Sequence, residues 1–376
     1  MTELEMIREL LPDAAGPAQT TIRTAEKLLA AEIAGGSRPR RRYLSYGLGA
    51  VAVGAAAAGA VAVIGSGSPG PSRAPTATGS GGTSVQKFLL AAAETAAKEP
   101  VGRYWRVLTI GGQSYHVGPA NGGYTMVGYR DETDRWTARS MTDPDTLYTR
   151  DLGARPLTAA DAAAWRRAGS PTTVRVWSND HYTTLSTTPG RTYGTVPGGW
   201  GSSVTTPAQK KKIAMQSRCP PGDKACEFAA PIDPRTLTEQ KLRQYLFWPN
   251  PTVKGVDAER VLNTLDFLTQ RPVTPQMRAA AYRLLAQVPG IRWAGTVKDA
   301  LGRSGIGLAA RQVMREAGQS VIDVQIILDP QTHKVLGYQQ VIVKAGGADR
   351  GMAPGTILYS EVYLQAGWTD ARPHHP

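Results

Sequence analysis

From Leu44 to Ile64 the chain runs 21 residues without a charged side chain. An α-helix rises about 1.5 Å per residue, so this segment reaches roughly 30 Å, the thickness of a hydrocarbon core. Arg38, Arg40, Arg41 and Arg42 precede it, and the next basic residue is Arg73. Basic residues stay on the cytoplasmic side, so the expected topology is a single pass at the cell membrane with the N-terminus in the cytoplasm and the C-terminal part outside. Tyr43 and Tyr46 then fall at the inner interface. The span holds eight Ala and four Gly, and Ala60-Val61-Ala62 resembles a cleavage site, so a cleaved signal peptide is the competing reading. Against it, 37 residues with helical periodicity stand ahead of the arginines, whereas a secretory signal opens with a short basic region. No Cys lies near the segment, which excludes a lipoprotein anchor.

The span divides the chain. Residues 1–42 form a cytoplasmic amphipathic arm, 43–64 the transmembrane helix, 65–84 a Gly/Ser/Pro linker and 85–376 an extracytoplasmic α+β domain. In the arm, Leu4, Ile7 and Leu11 recur at helical spacing, and Ile22 and Leu29 do so again after Pro12 to Pro17. About forty residues cannot cover two apolar stripes with a core of their own. Glu3, Glu5, Glu9, Glu26 and Glu32 make the polar faces acidic or mixed, where a membrane-lying helix wants them basic. The stripes therefore point to a cytoplasmic protein partner, with loosely ordered juxtamembrane helices as the alternative. The linker has one charged residue, Arg73, and too little apolar surface to pack.

The extracytoplasmic part reads as a helix from Ser84 to Glu99, then short strands at 104–110, 113–117, 124–130, 135–141 and 146–149 separated by Gly-Gly, Asn-Gly and Asp-Pro turns. A helix at 158–168 leads to a strand at 173–178. A Pro- and Gly-rich stretch spans 187–234, and helical patterns occupy 236–247, 257–269 and 274–288, with Asp257 and Thr274 as caps. Strands return at 292–298, 306–314, 320–328, 334–343 and 355–364, two of them joined by a turn at Asp329-Pro330-Gln331-Thr332-His333. The expected fold is α+β, antiparallel sheet at both ends of the domain with a helical insert between.

Cys219 and Cys226 are the only cysteines, and the turn-rich residues between them allow their sulfurs to meet. In an oxidising exterior they read as one local disulfide. Zinc would require further ligands, and none of the five histidines stands at ligand spacing to them. No metal site, cofactor site or catalytic residue is read elsewhere. The nucleophile-elbow, metalloprotease, phosphate-loop and EF-hand patterns do not occur. Asp143 and Asp145 in Asp-Pro-Asp read as a turn, and Gly302-Arg303-Ser304-Gly305-Ile306-Gly307 reads as a hairpin turn with the wrong glycine spacing for a dinucleotide. The net charge is +13, of which +11 is spread over residues 85–376. No basic run there exceeds Lys210-Lys211-Lys212, so nucleic acid is not an expected partner. All eight Trp lie in this part; packing accounts for most, and the rest are candidates to contact an acyl chain, lipoprotein or glycan.

The arm with Arg8-Glu9-Leu10-Leu11-Pro12-Asp13, the single Ala/Gly-rich span, and the late motifs Pro289-Gly290-Ile291, Gly295-Thr296-Val297-Lys298-Asp299, Gly302-Arg303 and Leu328-Asp329-Pro330-Gln331-Thr332 together resemble an uncharacterised family of actinobacterial single-pass membrane proteins. The resemblance spans nearly the whole chain. Members are often encoded beside extracytoplasmic-function sigma factors, which implies a sigma factor or another cytoplasmic regulator as a partner of the arm. The strand and turn pattern is also similar, more weakly, to the curved half-barrel sheets of bacterial lipoprotein carriers and of the periplasmic regulators that sense them. The resemblance brings no catalytic residues. The expected function is a membrane-anchored extracytoplasmic binding or sensing protein, not an enzyme. Its alternative is a tethered module for lipid, lipoprotein or cell-wall ligands without cytoplasmic signalling.

Overall fold

A computed structural model describes residues 81–119, 122–178, 181–192, 195–216, 237–247, 257–314 and 320–374. The helices are α1 Gly81–Ala97, α2 Ala159–Arg167, α3 Pro207–Gln216, α4 Glu239–Leu246, α5 Asp257–Thr269 and α6 Pro275–Leu285. The strands are β1 Tyr104–Val117, β2 Tyr124–Gly128, β3 Asp131–Ala138, β4 Asp145–Asp151, β5 Arg155–Pro156, β6 Thr173–Ser178, β7 His181–Ser186 and β8 Gly201–Thr205, followed after the helices by β9 Arg292–Lys298, β10 Ser304–Met314, β11 Ser320–Leu328, β12 Val335–Lys344 and β13 Ile357–Thr369. Among the described residues no helix is long and apolar enough to cross a membrane. The expected span, 44–64, lies outside them.

The fold is α+β, and its two strand-rich ends form one sheet. Eleven strands pair antiparallel, nine of them in the order β8-β4-β3-β1-β13-β12-β11-β10-β9, with β2 on β1 and β5 on β2. The seam is β1 against β13, from Tyr104 opposite Thr369 to Gln113 opposite Tyr359. Gly111-Gly112, expected as a turn, lies inside β1. Its glycines serve close approach instead: a Cβ on Gly112 would sit 2.7 Å from Val127 Cγ1. The real irregularity is across the ladder. Ile110 pairs with Glu132 and Gln113 with Gly128, so β2 and β3 are one strand path carrying one extra residue. Tyr129 takes it up at φ 50°, a left-handed conformation unusual for a bulky side chain. The polar stretch 187–234, in which the sequence shows no periodic pattern, supplies edge strand β8 and helix α3. Ser84, expected as the N-cap of the first helix, lies within α1.

Alternation decides which side of the sheet takes the helices. Ile322, Val324, Ile326 and Leu328 of β11 are all fully buried, and they pack with Leu308 and Ala310 of β10, Tyr338 and Ile342 of β12 and Trp105 and Val107 of β1. Leu89, Leu242, Leu265 and Leu284 close this core from α1, α4, α5 and α6. Each apolar helix face here leaves water at about 25 cal/mol per Å² buried. Thr158, Thr238 and Thr274 cap α2, α4 and α6, each accepting a bond from a backbone N–H three residues on.

One buried arginine seats the insert. The last carbonyls of α5 have no partner within the helix. Arg278 on α6 donates from Nη1 to the carbonyl oxygens of Phe267 and Leu268, at 3.1 and 2.6 Å, and from Nη2 to Val273 at 3.3 Å. Trp105 of the sheet seam donates from Nε1 to Thr269 at 2.7 Å. The guanidinium carbon of Arg278 lies 3.7 Å above the Trp105 ring, and Glu99 at the foot of α1 supplies the counter-charge at 3.5 Å. Burial pulls the Arg278 guanidinium down to about 10, with Glu99 opposing. Arg278→Met keeps the volume and strands these carbonyls, and should lower unfolding stability by roughly 3 kcal/mol. Arg278→Lys, a point charge without the fork, should recover less than half of that. Denaturant midpoints of the three proteins measure both.

Candidate functional site

At the far end of β1 the molecule carries a second, smaller lobe. Hairpin β6–β7 lies over β1 and β2, and Val174, Val176 and Leu185 bury against Tyr115, Tyr124, Met126 and Ala154. Leu185 rests directly on Gly128, where any Cβ would overlap its methyl groups. Tyr129 braces the same joint: its hydroxyl meets Thr183 Oγ1 at 2.8 Å, and its ring meets Tyr115 edge-on. Helix α2 completes the lobe. Its Asp161 closes a capping box with Thr158 and also accepts from Thr125 N at 2.7 Å.

The Thr-Val-Arg-Val-Trp-Ser sequence of β6 alternates, so burying the valines turns Arg175 and Trp177 outward. Trp177 pairs across the ladder with Tyr182, edge to face at 4.9 Å, and Arg175 lies 4.0 Å over the Tyr182 ring. Trp177 is 42% and Tyr182 56% exposed. The pair is left open to solvent rather than closed into the core of the lobe. Arginine outnumbers acid around it. Among the described residues, no carboxylate pairs with Arg155, Arg166, Arg167 or Arg175, while Asp151 and Asp161 of the same lobe turn their oxygens onto backbone N–H groups. On the large sheet the pattern is the opposite: Arg103, Arg106, Arg150, Arg303 and Arg311 each hold a carboxylate.

Two other polar clusters are closed upon themselves. On the sheet face away from the helices, Asp134 is fully buried and takes two bonds from Arg106, at 2.9 and 3.1 Å, and one from Trp136 Nε1 at 2.8 Å. Burial pushes its carboxyl up to about 7, with Arg106 and then Trp136 opposing and the Glu132 charge adding slightly. Between α5 and the sheet, Glu361 accepts from Gln270 at 3.2 Å, and burial raises its carboxyl, opposed first by the Arg135 charge. Arg271 is paired there with Asp266 and reaches the Tyr245 hydroxyl. Two concavities among the described residues are shallow. One lies by Arg103, Arg139 and Asp370, and the other along α1 by Glu94, Lys98 and His333.

The residues singled out from sequence fare unevenly. Cys219 and Cys226, the arm positions Leu4, Ile7, Leu11, Ile22 and Leu29, and the topology arginines Arg38, Arg40, Arg41 and Arg42 all lie outside the described residues. Asp143 and Asp145 are held apart by different cations, Arg103 at 2.8 Å and Lys210 at 2.7 Å, as befits a turn. Of the described tryptophans, Trp105 and Trp136 are core, and Trp177 and Trp293 are the most exposed. Sequence reading missed the hairpin surface, although the Val174/Val176 alternation carried the signal. No family model, curated protein or solved structure matches this chain.

The Asp134 cluster makes a signed prediction. Its folded value stands above the ordinary carboxylate value, so between about pH 4 and 7 the folded chain holds the proton more tightly than the unfolded chain does. That contribution to stability is fully present below the unfolded value and is lost as pH rises to about 7. The stability difference between the unaltered chain and Asp134→Asn should therefore fall with rising pH across this window and flatten above it, as read from urea unfolding at each pH.

Proposed function

We propose that this chain is a membrane-anchored extracytoplasmic binding or sensing protein whose ligand-contacting surface is the outer face of the β6–β7 hairpin. The observation that carries the reading is the exposed Trp177–Tyr182 pair with Arg175 stacked on it, set on a lobe whose Arg155, Arg166 and Arg167 pair with no carboxylate among the described residues. Binding sites concentrate where a rigid scaffold presents groups it does not itself need. Here the large sheet and its helices are that scaffold.

The anchor belongs to the same proposal. The charge-free stretch 44–64 and the four arginines ahead of it support a single pass with the arm inside, and the linker holds the domain off the bilayer. The similarity to actinobacterial membrane proteins found near sigma-factor genes supports a regulatory output through residues 1–42. Lipid or lipoprotein as ligand, the alternative class, draws on the long antiparallel sheet with helices on one face, as in half-barrel carriers. The described core between helices and sheet is filled by side chains such as Phe267, Leu308 and Ile326.

Two variants separate the parts. Trp177→Ala with Tyr182→Ala should lower the unfolding free energy by no more than about 1–2 kcal/mol, the scale of one ring pair and one exposed cation–π contact, and should cut retention on isolated cell envelopes of the source organism by about tenfold or more. Unchanged retention sinks the hairpin as the binding surface. Removing residues 2–37 while keeping Arg38, Arg40, Arg41 and Arg42 should preserve retention and abolish the transcriptional response to envelope damage. A response that persists leaves a tethered binding module without signalling.

A further inference from the structure

The hairpin face has a chemistry narrower than general stickiness. Exposed aromatic faces carry negative charge density at the ring centre and attract the polarised C–H bonds along one side of a sugar ring. The guanidinium beside them offers a planar fork that suits carboxylate or phosphate oxygens. We infer that the ligand of this surface is an anionic polysaccharide, with a sugar ring stacking on Trp177 and its acidic groups meeting Arg175, which the Tyr182 ring holds in place. This rests on the proposed binding role of the hairpin and names its ligand class.

Charge and exposure select this occupant over the other candidates. Arg155, Arg166, Arg167 and Arg175 are exposed and hold no described carboxylate, so the lobe presents more cation than it neutralises. Two described aspartates of the lobe, Asp151 and Asp161, turn their oxygens onto backbone N–H groups rather than onto these arginines. A hairpin that inserts into a lipid surface would carry apolar residues between its strands, but the sequence there is Asn179-Asp180, whose single acidic residue is outnumbered by Arg155, Arg166, Arg167 and Arg175. A neutral glycan would use the rings and leave the cations idle. The stacking of Arg175 on Tyr182 also holds the cation at the ring, so charge and stacking face act on one ligand together.

The test uses the full chain in nanodiscs of neutral lipid, with four probes: dextran, phosphorylated dextran, alginate, and vesicles containing phosphatidylglycerol. At about 0.1 M salt, alginate or phosphorylated dextran should bind at least tenfold more tightly than dextran. Arg175→Gln and Trp177→Ala should each weaken that binding by roughly five- to tenfold, about 1 kcal/mol by the usual conversion. Lys298→Gln, an exposed cation on β9 at the other edge of the sheet, should leave it unchanged. Equal binding of dextran, binding of the vesicles alone, equal weakening by Lys298→Gln, or binding of none of the probes would each overturn the inference. The envelope-retention result tells which claim has failed. Retention lost in the hairpin variant with no polyanion binding removes the ligand class and keeps the surface. Retention unaffected removes both.

Discussion

The seam between β1 and β13 is the constraint on which the remaining architecture depends. It joins the first strand of one meander to the last strand of another, with over two hundred residues between them in sequence. Closing a loop of that length costs chain entropy only logarithmically, so the seam is affordable once both meanders exist. What fixes the intervening chain is the end of α5. Its carbonyls are satisfied from two directions, by Arg278 of the next helix and by Trp105 of the seam itself. The stacking of Arg278 on Trp105 then ties helix capping to sheet closure, so neither can shift alone. A buried arginine is costly to desolvate, and here three carbonyls, a ring face and the Glu99 charge offset that cost.

With the body closed in this way, the small lobe can expose what a core would normally hide. Gly128 and Tyr129 form the joint. The glycine gives Leu185 room, and the tyrosine takes a strained backbone conformation while bonding to Thr183. Strain of this kind costs on the order of 1–3 kcal/mol and persists where neighbours over-determine it. The outcome is a two-stranded hairpin with its valines committed inward and its aromatic pair and Arg175 committed to solvent. On the opposite side of the large sheet, Asp134, Arg106 and Trp136 satisfy one another, leaving little to offer a ligand.

Much of this was legible in the residues. The long alternating runs of β9 to β13 and the Asp329 turn show directly in the pattern, and Asp329 does accept from the backbone of Gln331 and Thr332. Thr274 caps α6 as its position before Pro275 suggests. Other features depend on tertiary context. Gly111-Gly112 looks like a turn because glycine permits one; only the approach of Val127 makes it a strand position. Strands β7 and β8 and helix α3 are polar and lack strong periodicity, since they sit at edges where one face meets water. Trp136 and Trp177 occupy similar alternating contexts, and which is buried is decided by what packs on each face. The hairpin site was thus half visible: the alternation was there, but the partner that buries Val174 and Val176 lies fifty residues away in β2.

The central claim is that ligand contact falls on the outer face of the hairpin while the helix-covered body stays closed. Hydrogen–deuterium exchange of the full chain in nanodiscs, with and without isolated cell envelopes, addresses it most directly. The account predicts added protection across 173–178 and 181–186, with α5, α6 and the strands they cover unchanged. Protection that appears instead in α5 and α6, or along β10 and β11, with the hairpin unaffected, would contradict it and move the site to the interface between helices and sheet.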